Sequence, residues 1–138
     1  MTRGVRVMNE RLLVPYDGSA AADAAVVRAF DLAKTQGASV YVLAIAPDEN
    51  GSTSSLPIGA RLTDDLMTFA RIGAQLGIDV DGSYLDQATE ALVRAVIETH
   101  HIDRVVLVRN EATEDSSRNG RLLKALAGNC PVPVTLLT

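Results

Sequence analysis

Two stretches of this chain leave it little freedom in how it folds. "ASVYVLAIA" (38–46) and "DRVVLV" (103–108) are near-continuous apolar runs of strand length with no alternating polar side. Such strands are buried on both faces, as in a parallel sheet covered by helices above and below. Parallel neighbours need a crossover, and the intervening segments supply helices. After "RLLVP", the first strand, Ser19 caps a helix in which Ala25, Ala29, Leu32 and Ala33 form a thin stripe of mostly small apolar residues. Leu62, Leu66, Phe69, Ile72 and Leu76 then recur at helical spacing, and Gly77 ends that helix. A third helix is expected to be capped by Asp86 and to bury Leu92, Ala95, Val96 and Thr99. A short fourth one carries Leu122, Leu123 and Leu126 and closes at Gly128 and Asn129.

The two remaining strands read as edges. "GIDVDGSY" alternates apolar and polar residues, so one of its faces is wet. "CPVPVTLLT" contains prolines, which cannot donate to a ladder and belong at a sheet edge. Five strands alternating with four helices imply a doubly wound α/β fold with right-handed crossovers. With the third and fifth strands outermost, a single five-stranded parallel sheet of order 3-2-1-4-5 follows, with helices on both faces. The 138 residues form one domain, 1–138, with residues 1–9 as a flexible leader. A domain of this size buries roughly two thirds of its unfolded surface without staples.

In open sheets of this type ligands sit beyond the carboxyl ends of the strands, where the winding direction reverses. That point lies between the first and fourth strands, so the segments from Tyr16 to Ser19 and from Arg109 to Asn119 are expected to meet there. Asp17 is therefore both a ligand candidate and, in "DGS", an ordinary turn residue. The low-complexity patch "ENGSTSS" marks Asp48 to Pro57 as a mobile loop beside the same end.

Composition removes several function classes. A net charge of −4, 4% aromatic residues and no tryptophan argue against a nucleic-acid surface, which needs a basic face and stacking platforms. The apolar run "VYVLAIAP" is far shorter than the ~20 residues of a membrane span. The first ten residues hold arginines but no apolar leader core, and a cytoplasmic location is expected. The one cysteine, Cys130, has no partner in the chain and reads as a buried, inert thiol. His100 and His101 are adjacent on a helix, so they do not face one another. Histidine near a helix carboxyl end complements the dipole, and the pair reads as structural. No nucleophile elbow, Walker loop or metal-ligand cluster is present, so neither an enzyme nor a resident metal is expected.

The segments "LLVPYDGS", "AFDLAKTQGASVYVLAIAPDE", "DRVVLV" and "CPVPVTLL", in that order, resemble the universal stress protein family over almost the whole chain. That resemblance implies an ATP site with the first-turn aspartate at the adenine, backbone near the end of the second strand, and a glycine-rich loop after the fourth. The loop pattern is glycine, two residues, glycine, nine residues, then glycine and a hydroxyl residue. Pro15, Tyr16, Asp17, Gly18 and Ser19 match the adenine-side turn, and Ala46 falls at the second-strand position. On the phosphate side the match fails: Val108 is followed by Arg109 where a glycine belongs, and "NEATEDSSRNGRLL" holds only Gly120, followed by Arg121. Glycines let the backbone approach phosphate with its N–H groups inward. Glu111, Glu114 and Asp115 add repulsion. Two like charges ~4 Å apart repel by about 1 kcal/mol in water and about 4 kcal/mol at an effective dielectric of 20.

The expectation is therefore a stress-response regulator with a degenerate ATP loop and no resident cofactor. It acts through protein contacts and through homodimerisation along the last strand, at Val132, Val134 and Leu136. The alternative is a sensor of a nucleotide or anionic metabolite held by Asp17 with Arg109, Arg118 and Arg121, since arginine forks bind phosphate without glycines. Cation binding by Asp17 and the acidic loop has less support, because the spacing matches no calcium loop. ATP hydrolysis has least, with neither cradle nor base in view. A phosphorylation receiver is excluded. It needs an acidic pair, an aspartate and a lysine where this chain has Pro15-Tyr16, Tyr84 and Asn129.

Overall fold

The computed structural model describes residues 10–46, 58–108, 124–125 and 128–137. In chain order the elements are β1 (Arg11–Tyr16), α1 (Ala20–Gln36), β2 (Ser39–Ile45), α2 (Ile58–Leu76), β3 (Val80–Leu85), α3 (Glu90–Thr99), β4 (Arg104–Val108) and β5 (Val134–Leu137). The strands form one sheet of order β3-β2-β1-β4-β5. Every pairing is parallel: Leu12 lies opposite Val40, Val42 opposite Gly82, Leu13 opposite Val105, and Val106 opposite Thr135. The winding reverses on either side of β1.

The two-residue period of the strands splits the core. Leu12, Val14, Tyr16, Val40, Val42, Ala44 and Val106 face one layer of helices, where Ala25, Val26, Ala29, Phe30 and Ala33 of α1 and Leu62 of α2 close over them. Leu13, Tyr41, Leu43, Ile45, Val105 and Leu107 face the other, under Val93 and Ile97 of α3. The small stripe of α1 is thus its buried face. Ser19 caps α1 by accepting the Ala22 N–H, as expected.

The interiors of α2 and α3 differ from expectation. On α2, Leu62 is fully buried, but Ile72 is 39% exposed and Leu76 is also in solvent. Gly73 is buried instead, because a β-carbon there would stand 2.2 Å from Val80 Cγ2. The helix approaches edge strand β3 so closely that only a hydrogen fits. On α3 the cap is Thr89, whose Oγ1 accepts the Leu92 N–H at 3.2 Å. Asp86 lies one turn too early and accepts the Tyr84 phenol at 3.1 Å. The register moves with the cap: Val93 and Ile97 are buried, Val96 is half-buried, and Leu92 is 43% exposed.

At the carboxyl end of the chain, Lys124, Ala125 and Gly128 are helical and the Asn129 N–H donates to Ala125 O, whereas Leu122, Leu123 and Leu126 lie outside the described residues. β5 begins only at Val134, so Pro131 and Pro133 precede it rather than interrupt it. Cys130 is half-buried against the α3 layer, less enclosed than its apolar character suggested.

Candidate functional site

The β1–α1 connection is set by short-range polar chemistry. Beyond Tyr16 the chain leaves the sheet, and Asp17 Oδ1 accepts the Ser19 N–H at 3.0 Å, closing a turn of the Asx type. Gly18 at its tip has φ 86°, a left-handed conformation that favours glycine. Ser19 O then accepts the Asp23 N–H at 2.9 Å and α1 is under way. Asp17, Gly18 and Ser19 are half-buried at the carboxyl end of β1. Ala46 follows the last residue of β2, and its N–H donates to Leu85 O across the sheet at 3.1 Å.

Pro15 and Tyr16 are core residues. Pro15 is buried within β1 opposite Leu43. Tyr16 is 4% exposed and meets Phe69 edge-to-face, with ring centroids 5.0 Å apart. Its phenol oxygen contacts two carboxylates, Asp65 Oδ2 on α2 at 2.9 Å and Asp23 Oδ1 on α1 at 3.0 Å. Burial first, then the hydrogen bonds to Asp65 and Asp23, hold this phenol above the ordinary tyrosine range. The cluster ties the first halves of both helices to the end of β1, immediately before Asp17.

The first turn of α2 lies directly over this connection. Leu62 Cδ2 is 3.3 Å and Arg61 Nη2 3.9 Å from the point a Gly18 β-carbon would occupy. One residue pair further along the sheet edge, the Tyr84 ring sits 3.3 Å from the same point on Gly59, and its phenol is pushed up by burial and by Asp86.

Of the residues named from sequence, the fold brings Asp17, Gly18 and Ser19 into one turn and ends β2 at Ile45, immediately before Ala46. Val108 ends β4, paired with Leu137. Arg109, Arg118, Gly120, Arg121 and the acids Glu111, Glu114 and Asp115 lie outside the described residues, as do residues 1–9 and the loop from Asp48 to Pro57. The residues missed are Asp23, Arg61, Asp65 and Tyr84. Asp65 left a readable trace: it stands three residues after Leu62 and four before Phe69, so it flanks the apolar stripe of α2 and needs a polar partner.

The histidines lie elsewhere. The His100 ring stacks on Tyr41 at 4.4 Å with Nε2 3.2 Å from the phenol oxygen, which also donates to Ser83 Oγ at 2.7 Å. Arg11 reaches the His100 carbonyl at 3.1 Å, which puts this group at the amino ends of the strands, away from Asp17. A groove of about 420 Å³ at that same end is lined by residues including Arg11, Lys34, Leu76 and Asp79. Among the described residues no three His, Cys, Asp or Glu side chains are placed to hold a metal, and no helix is long and apolar enough to cross a membrane.

A parallel sheet of this order, with a carboxylate turn at its switch point, defines a doubly wound α/β protein. More narrowly, the chain belongs to the universal stress protein family, whose model matches residues 8–137. Solved structures of that family share the fold. A Burkholderia pseudomallei member is 17% identical with a TM-score of 0.62, covering 96% of this chain and 98% of its own. A universal stress protein in complex with cAMP is 14% identical with a TM-score of 0.69, covering 95% of this chain and 98% of its own. The Archaeoglobus fulgidus protein in complex with dAMP is 16% identical with a TM-score of 0.66, covering 95% of this chain and 99% of its own. No curated protein sequence matches the chain.

Proposed function

We propose that this member of the stress-response family is a cytoplasmic regulator that works by contact, with a second copy of itself along β5 and with a protein partner, and not by holding ATP as nucleotide-binding members do. The observation that carries the reading is the state of β5. It is a sheet edge, Leu136 on it is 46% exposed, and Val134 at its start and Val132 just before it are half-buried. An apolar edge strand without charge or bulge invites pairing with another chain. The substitution of Arg109 for the first loop glycine and the absence of a hydroxyl residue after Gly120 argue against a triphosphate cradle. The reading is one of binding, without a catalytic step. Light scattering at high micromolar concentration tests it: a dimer is expected, and a monomer removes the proposal.

A second reading is favoured by the β1–α1 turn: a sensor of an adenine mononucleotide or a related anionic metabolite. Asp17 stands at the switch point, and two relatives are described in complex with cAMP and dAMP, each carrying one phosphate. Titration calorimetry of AMP and ATP, with and without Mg²⁺, is the test. Micromolar heat that disappears in Asp17→Ala supports a ligand site. No heat at millimolar nucleotide leaves Asp17 as a turn residue.

A further inference from the structure

Among the described residues β3 and β5 are the two edges of the sheet, and their backbone groups are left in different states. The Val40 N–H donates to Asp79 O at 2.9 Å and the Ala46 N–H to Leu85 O at 3.1 Å. The odd-numbered residues of β3 therefore turn their backbone groups to β2, and Val80, Gly82 and Tyr84 turn theirs to the open side. Gly82 is the middle of that row. It cannot carry a side chain to shade its own amide, because a β-carbon there would stand 2.6 Å from Val42 O and 3.1 Å from Leu66 Cδ2. Its N–H is occupied all the same: Oδ1 of the exposed Asp81 accepts it at 2.8 Å. On β5 the Val105 N–H donates to Pro133 O, which by the same alternation turns the backbone of Val134 and Leu136 outward, and the strand Val134–Leu137 holds no ionisable side chain.

We infer that Asp81 closes the β3 edge to strand addition, and thereby decides which edge a second copy of this chain can use. That β5 is the edge left open rests on the contact reading above, whereas the closing of β3 stands on its own observations. A strand adding to β3 has to bond the row Val80, Gly82 and Tyr84, and the central donor of that row is already taken by a carboxylate. Displacing the carboxylate breaks a charge-assisted bond. It also leaves the charge beside an incoming backbone that excludes water. In an antiparallel pair of β3 strands centred on Gly82, the two Asp81 side chains are diagonal neighbours on one face, within range of mutual repulsion. With Asp79 just before the strand and Asp86 just after it, the segment from 79 to 86 carries carboxylates and no cation, the kind of charge that keeps an edge unpaired.

The test is sedimentation equilibrium of the full chain up to high micromolar concentration, with wild type, Leu136→Lys, Asp81→Ala, and the double variants that join Leu136→Lys to Asp81→Ala or to the isosteric Asp81→Asn. Each variant is first checked for an unchanged melting temperature in dilute solution. With β5 closed by the lysine, Asp81→Ala is expected to tighten self-association by roughly tenfold or more relative to Leu136→Lys alone, since each copy gains a backbone hydrogen bond. Asp81→Asn keeps an acceptor without the charge, and is expected to give only part of that gain. Equal association of Leu136→Lys with and without Asp81→Ala overturns the role of Asp81. Leu136→Lys that associates as wild type does overturns β5 as the interface, and Asp81→Ala compared with wild type then decides Asp81 in the same way. Amide hydrogen exchange at Gly82, measured in the monomer, is the second readout. It is expected to quicken in Asp81→Ala, and an unchanged rate overturns the cap.

Discussion

At the residue scale the unusual feature is one phenol between two carboxylates. A tyrosine hydroxyl carries a single proton, so one of the two contacts to Tyr16 goes without. An amide in place of one carboxylate supplies the missing donor: in Asp65→Asn the side-chain N–H donates to the phenol oxygen while the phenol donates to Asp23. Asp65→Asn is expected to raise stability by about 1 kcal/mol, read as an increase in melting temperature at neutral pH. A decrease would show that the doubly contacted geometry is the better one. The phenol has a consequence at high pH as well. Held above the ordinary tyrosine range in the folded chain, it keeps its proton after the unfolded chain has lost its own. Its contribution is therefore complete below pH about 10 and declines as the pH rises beyond that value. Thermal unfolding followed across this range should show a steep alkaline fall in wild type and a shallower one in Tyr16→Phe. Tyr84, raised in the same direction, keeps the slope from vanishing.

At the scale of the element, the caps decide where helices begin and hence which face they bury. For α1 the cap was legible, because Ser19 follows a turn sequence and precedes an alanine-rich run. For α3 both Asp86 and Thr89 are competent caps, and nothing local separates them. The choice is made by Val93 and Ile97, which reach the core beside Leu13 and Val105 only if the helix starts at Glu90. Replacing the true cap should be the more damaging change. Thr89→Ala is expected to cost about 1 kcal/mol, and Asp86→Ala less than about 0.5 kcal/mol, by urea denaturation. The reverse order would place the cap at Asp86. The α2 stripe shows the same effect of packing over pattern. Leu76 fits the period, yet Gly73 takes the contact because β3 lies too near for a side chain.

At the scale of the whole molecule, the two edges of the sheet differ. β3 is backed by α2, with Leu66 and Phe69 packed into the same layer, and it carries Asp81 and Asp86 in or beside it. β5 is four residues long and presents Leu136 to solvent. A second copy joined there would bury Leu136 with Val132 and Val134, and a charge in the middle of that contact would have to be desolvated. Leu136→Lys is expected to weaken self-association by roughly tenfold or more in sedimentation equilibrium while the melting temperature of dilute protein changes little. Unchanged association would move the interface away from β5.

The sequence by itself determined the architecture. Continuous apolar runs demand cover on both faces, helix-length segments demand crossovers, and the alternating third strand reads as an edge from its period; proline content is the weaker guide, since Pro15 lies inside central β1 while Pro131 and Pro133 only precede β5. The turn at Asp17 was legible for the same reason, since an Asx turn and a serine cap are made within seven residues of chain. What only the tertiary structure decided are the contacts between residues distant in sequence. Tyr16 meets Asp65 across forty-nine positions, Arg61 comes to lie over Gly18, and Gly73 is pressed against Val80. These depend on the distance and roll of α2 relative to the sheet. Helical period specifies which face turns inward, but how closely the helix approaches is settled by the side chains of every layer packing at once.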